Sequence, residues 1–199
     1  MQLRTCEKPN DTQNTIFSVA AQLFSKRGYN GVSMREISEA SGVTKPTIYY
    51  YFESKEDIYR QLVETGIDHI FTTIEEVKVL PISAKEKLIE ITKRFFEVAF
   101  SVPEYVKFFM SLIMHDEKLD SVADIQIQVE KRGRLLIDII RQGIESGEFG
   151  GGADPELAAH LFGGMLKHFI GLQLVNDEKI LSDDLAERVV ELLFKGLNE

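Results

Sequence analysis

Between residues 33 and 55 the chain carries the start and stop signals of two short helices with three residues between them, and no other stretch constrains the fold as much. Ser33-Met34-Arg35-Glu36 is a capping box, in which Ser33 and Glu36 satisfy each other's backbone donors. Val32 and Ile37 flank it at the positions of a hydrophobic staple. Ser41-Gly42 stops this helix after Ala40. Thr44 caps the next one, with Pro46 in its first turn, where no intrahelical N–H bond is lost. Ile37, Ala40, Val43, Ile48 and Phe52 make a small core that fixes the angle between the two helices. A support helix over 33–40, a tight turn and a second helix over 44–51 fit a helix-turn-helix, whose second helix lies in the DNA major groove.

With the core positions removed, the second helix keeps Lys45, Pro46, Thr47, Tyr49, Tyr50 and Tyr51 for its surface. Three successive tyrosines cannot all face inward on a helix. Against DNA, their hydroxyls reach phosphates and their rings pack on sugars or thymine methyls.

The rest of the chain also reads as helix. Asp11 or Thr12 caps a helix with Ile16, Val19, Ala20, Leu23 and Phe24 on one face, ended by Gly28. Ser54 starts a fourth that runs to about Val77. Ser83-Ala84-Lys85-Glu86 is a second capping box, and Pro103 opens an aromatic segment. Further helices are expected over 121–146, from Asp154-Pro155-Glu156 onward, and from Ser182 to about Lys195, closed by Gly196. The expected fold class is all-α, about nine helices without a convincing strand.

Charge permits DNA binding without proving it. The chain is −9 overall, but residues 1–60 hold eight Lys and Arg against seven Asp and Glu, leaving −10 for the remainder. A near-neutral head grips phosphates when its few cations are correctly placed. No stretch approaches the ~20 uninterrupted apolar residues of a membrane span, so no membrane partner is expected. The first residues lack the apolar core of a secretory signal, and a single cysteine, Cys6, suits a reducing compartment. A cytoplasmic protein is expected.

The run from Thr15 to Leu62 closely resembles the tetracycline-repressor (TetR/AcrR) family. The residues that carry the resemblance are Ala20-Ala21-Gln22-Leu23-Phe24, Gly28-Tyr29, Arg35-Glu36-Ile37, Ser41-Gly42-Val43, Thr47-Ile48-Tyr49-Tyr50-Tyr51-Phe52 and Ser54-Lys55-Glu56. Their joint order and spacing are specific, although they cover only about the first third of the chain. The resemblance implies a three-helix DNA-binding domain over 1–53 and a helical bundle for ligand sensing and dimerisation over 54–199. It implies that Arg35 reaches a base edge or phosphate, and that Lys45, Pro46 and Thr47 face bases. Tyr49 and Tyr51 would contact the backbone or base methyls, with Thr44 and Tyr50 completing the DNA-contacting set. Lys55 would add its charge to the free N–H groups of the fourth helix on one phosphate. Glu53 departs from the pattern, an acid where members often carry lysine or another polar residue.

In that family the C-terminal region binds an inducer and forms the dimer. Here it concentrates aromatic and methionine residues, Phe100 and Met110 among them, beyond what a thin helical layer needs. The candidate pocket set is Phe95, Phe96, Tyr105, Phe108, Phe109, Met114, His115, Met165, His168 and Phe169. Taken singly, each reads as ordinary core; as a group they suggest the walls of an apolar cavity for a small hydrophobic or aromatic effector. The histidines, His69, His115, His160 and His168, have no spacing that makes a close metal pair, so no metal and no cofactor beyond that effector are expected. Homodimer contacts are expected on 157–174 and 185–197, where Gly163 and Gly164 let backbones approach.

The resulting expectation is a ligand-responsive transcriptional regulator, of repressor type, on a palindromic operator. The sequence offers no nucleophile elbow, phosphate loop or metal cluster, so no enzyme chemistry is expected. The rivals are a helical small-molecule carrier and a DNA-binding protein without a ligand.

Overall fold

The helix boundaries follow from caps that can be seen making their bonds. The structure, a computed structural model, describes residues 11–112, 132–150, 152, 154–176 and 179–198. The first helix, α1, spans Asp11–Arg27 and is followed by Gly28 at a φ of 67°. Helix α2 is Met34–Ser41 and α3 is Lys45–Tyr51. Both arms of the Ser33/Glu36 box are formed: the Ser33 N–H donates to Glu36 Oε2 at 2.8 Å, and the Glu36 N–H to Ser33 Oγ at 3.3 Å. Between α2 and α3, Gly42 holds a φ of 69°, a left-handed conformation that a side chain would strain. Thr44 caps α3 through the Thr47 N–H, and Ser54 Oγ accepts from the Asp57 N–H at the start of α4, Lys55–Lys78. The second box, Ser83 with Glu86, opens α5, Ala84–Ser101, and α6 is Pro103–Ser111. Three helices follow: α7 Arg134–Glu145, α8 Pro155–Val175 behind an Asp154 cap, and α9 Asp183–Asn198.

The described residues form nine helices and no strand, as an all-α chain should. Two expectations need amending. Gly196 does not close the last helix, which continues to Asn198; a helical glycine costs only about 1 kcal/mol, too little to end a helix that is otherwise supported. Of the helix expected over 121–146, α7 is the described part, and residues 121–131 lie outside the described residues.

The chain packs as two compact units. In the first, residues 11–69 and 102–112, Ile16, Ala20 and Phe24 of α1 meet Ile37, Ile48, Phe52, Ile58, Leu62 and Phe108 in one core. This unit reaches past residue 53 because the first half of α4 and all of α6 supply that core. Gly66 is what admits α6: a Cβ there would stand 2.6 Å from the Phe109 ring. The Tyr105 hydroxyl donates to the Leu62 carbonyl of α4. In the second unit, residues 70–101 and 132–198, Leu88, Ile91 and Phe96 pack with Ile139, Ile140, Phe162, Leu166 and Val190.

Candidate nucleic-acid interface

Helix α3 buries one side and offers the other. Ile48 and the capping residue Phe52 are buried, while Thr44, Lys45, Pro46 and Thr47 are exposed. Of the three tyrosines, Tyr49 is 53% exposed and Tyr50 82%, whereas Tyr51 is half-buried against the head core. The Tyr50 and Tyr51 rings meet edge to face, with centroids 5.0 Å apart. Two large aromatic faces thus stand in water on the helix that Lys45 opens, and Lys45 itself is at the end where unpaired N–H groups favour anions.

The turn that aims α3 is tied by two serines, Ser41 of the expected helix stop and Ser38, which the sequence did not single out. Ser38 Oγ donates to the Val43 carbonyl at 2.6 Å, and the Val43 N–H donates to Ser41 Oγ at 3.3 Å. Val43 is half-buried on the head core, but Ala40, expected in that core, is exposed. The Ser38 tie and the buried pair Ile37 and Ile48 fix the angle without it.

Arg35 is exposed and pairs with Glu39 at 3.2 Å. Exposed pairs of this kind contribute about 0–1 kcal/mol, so the guanidinium can exchange its carboxylate for a phosphate at little loss. Lys55 is placed differently from its expected role. Its Nζ donates to the carbonyls of Tyr29 and Val32, each at 2.9 Å, and lies 3.9 Å from the centre of the Tyr29 ring. Glu53 is exposed, and its N–H donates to Asp57 Oδ2.

Glu36 is the electrostatic hinge of the α2 cap. The Ser33 hydroxyl, then the Ser33 N–H, then the Arg27 guanidinium at 2.7 Å, hold its carboxyl down from 4.5 to about 2. A depressed folded value means that the stabilisation is complete above the unfolded value of 4.5 and is lost as pH falls through about 2. Amide protection at Ser33 and Glu36, followed by hydrogen exchange in acid, is expected to fall across that window in the native chain. It should be pH-independent in Glu36→Gln, whose amide oxygen accepts from the Ser33 N–H without titrating. A native protein whose protection stays flat to pH 2 would contradict this account.

The described candidate pocket residues are divided between the two units. Tyr105, Phe108 and Phe109 belong to the first unit, and Phe95, Phe96, Met165 and Phe169 to the second. Phe108 is fully buried among Phe24, Tyr59 and Tyr105, a packing role in the head. Phe96 is buried in the second core, with Phe95, Met165 and Phe169 half-buried against it. His168 is exposed, its ring edge-on to Phe169. Met114 and His115 lie outside the described residues.

On α8, Leu157 and Leu161 are 57% and 52% exposed, and Val175 is 81% exposed. Apart from the neighbouring residues and the backbone of α8 itself, no described atom stands within 4 Å of where a Cβ on Gly163 or Gly164 would be. Among the described residues no helix is long and apolar enough to cross a membrane.

Residues 16–62 match the family model described as bacterial regulatory proteins, tetR family. The fatty acid metabolism regulator protein of Bacillus subtilis is 27% identical over 183 residues, covering 92% of this chain and 94% of the relative. The crystal structure of the transcriptional regulator FadR from Bacillus subtilis in complex with stearoyl-CoA superposes with a TM-score of 0.73 at 27% identity, over 92% of this chain and 98% of that one. The ketosteroid regulator KstR2 of Mycobacterium tuberculosis shares the fold, with a TM-score of 0.81 at 18% identity over 98% of this chain and 100% of that one.

Proposed function

Since the chain belongs to the tetR family of bacterial regulatory proteins and is a DNA-binding transcriptional regulator, we propose that it is a cytoplasmic repressor that holds a palindromic operator as a homodimer and releases it when a hydrophobic effector binds. Residues 1–53 carry the DNA contacts, and residues 54–199 sense the effector and form the dimer. The observation that carries the DNA assignment is the exposed pair of rings, Tyr49 and Tyr50, together with the exposed Lys45 on a helix whose other side is sealed.

Fluorescence anisotropy on the intergenic DNA beside the protein's own gene, with random duplex as competitor, tests it. Lys45→Ala and Tyr49→Ala are each expected to weaken operator binding by about 1–3 kcal/mol, roughly fivefold to 150-fold. Variants that bind the operator as the native chain does would refute the assignment of this face.

The effector we assign is a long-chain acyl compound carried as its coenzyme A thioester. Support comes from the complex of the B. subtilis regulator with stearoyl-CoA, which aligns with most of both units of this chain, and from the half-buried Phe95, Met165 and Phe169 in the second unit. Octanoyl-, palmitoyl- and stearoyl-CoA are added to the operator complex in turn. Release should sharpen with chain length, because each buried methylene adds about 0.8 kcal/mol. Regulation further requires that the effector bind the released state more tightly than the DNA-bound one. An operator complex indifferent to every acyl thioester would remove the effector assignment and leave the DNA reading standing.

A further inference from the structure

Lys55 stands where a phosphate contact is expected, yet its ammonium is turned into the protein. Its two carbonyl acceptors, Tyr29 and Val32, lie in the loop joining α1 to α2. The Val32 acceptor matters most, because the same peptide group carries the Ser33 N–H, which donates to Glu36 at 2.8 Å. Both ends of the peptide that begins α2 are therefore held, one by the α2 cap and the other by the first residue of α4. The Tyr29 ring closes the arrangement: it receives the ammonium on its face, stacks on Phe24 at 6.1 Å, and meets Tyr59 of α4 edge to face at 5.2 Å. From α2 the path continues to α3 through Ser38 and Val43.

We propose that Lys55 is a positioning residue of the reading head: it ties the start of α2 to the start of α4, and it supports operator binding by orienting α2 and α3, not by bonding a phosphate. This rests on the reading that the exposed face of α3 binds the operator. Charge-assisted bonds to two carbonyls, with the ammonium partly desolvated, are stronger than neutral ones and fix direction as well as distance. A helix start tied in this way moves with the loop it holds.

The two roles differ in a measurable way. A lysine on a phosphate supports specific and random DNA alike, and its loss lowers the slope of log affinity against log salt by about one. A positioning lysine acts only where the geometry of α3 against base edges matters. The test compares native chain, Lys55→Met and Lys55→Arg. Each is assayed for operator and random-duplex affinity over a salt series, and for amide exchange at residues 28–36 in the DNA-free protein. Lys55→Met is expected to lose about tenfold or more on the operator, with random-duplex affinity and salt slope unchanged and exchange at residues 28–36 faster. Lys55→Arg, which keeps two donors, should recover most of the operator affinity.

Equal losses on both DNAs with a slope lower by about one would identify a phosphate contact and overturn the proposal. So would exchange unchanged at residues 28–36. Global unfolding of Lys55→Met at the assay temperature would overturn it too, because the ammonium would then be holding the fold and not one loop. The exchange readout needs no operator, so a failure of the DNA assignment and a failure of this proposal remain distinguishable.

Discussion

Replacing Phe108 by alanine is expected to destabilise the first unit by about 3–5 kcal/mol, a large part of the roughly 5–15 kcal/mol that holds a domain folded. The ring is fully buried and has three aromatic neighbours: Tyr59 at 5.4 Å edge to face, Phe24 at 6.2 Å and Tyr105 at 6.4 Å. Its loss removes the transfer energy of the side chain and leaves a cavity between α1, α4 and α6. Those helices cannot collapse onto it easily, because the Tyr105 hydroxyl and the close approach of Phe109 to Gly66 hold α6 in place. The check is a urea melt followed by far-ultraviolet circular dichroism, in which the variant's first transition should move to lower denaturant. A variant that keeps the native midpoint but loses its response to acyl thioesters would make Phe108 a pocket residue and reverse the assignment.

That residue also shows where the sequence was legible and where it was not. Capping is local chemistry, with partners within four positions of each other, so the Ser33/Glu36 and Ser83/Glu86 boxes, the Thr44 cap and the Asp154-Pro155 start all stand where they can be read directly. The exposed face of α3 was legible for the same reason, since helical period alone separates Ile48 from Tyr49 and Tyr50. Which core a buried aromatic joins is not local. Phe95 and Phe108 lie 13 positions apart in similar surroundings, yet one packs in the second unit and the other in the first. Nothing within a few residues of Phe108 reports that Phe24, some 84 positions earlier, is its neighbour. Lys55 was opaque in the same sense. Its position at the start of α4 is visible in the sequence, but its acceptors are backbone carbonyls more than 20 positions away, and backbone carbonyls carry no sequence signature.

Replacing Leu161 by glutamate is expected to convert the protein to a monomer and to abolish high-affinity operator binding while leaving its helix content intact. On α8, Leu157, Leu161, Gly164, His168 and Val175 recur at steps of four, three, four and seven, which at about 3.6 residues per turn places them in one stripe. Leu157, Leu161 and Val175 stand exposed there, with Leu192 of α9 also open to water. Isolated exposed leucines are ordinary, but a stripe along a whole helix marks a surface that another protein covers. The open space beside Gly163 and Gly164 would let a second backbone come close. Across a two-fold axis every change occurs twice. Each Leu161, already half-covered within its own chain, forfeits about 1 kcal/mol of burial, and each glutamate adds a charge that must be desolvated beside its symmetry mate. The burial loss alone, about 2 kcal/mol for the pair, weakens the dimer roughly thirtyfold, and the two desolvated charges add to it. A monomer presents one reading head where a palindrome needs two, so operator affinity should fall towards that for random duplex. Sedimentation equilibrium on the native chain and the variant decides the matter. A variant that stays dimeric would place the subunit contact on another face, and a native chain that is already monomeric would leave this stripe without a partner.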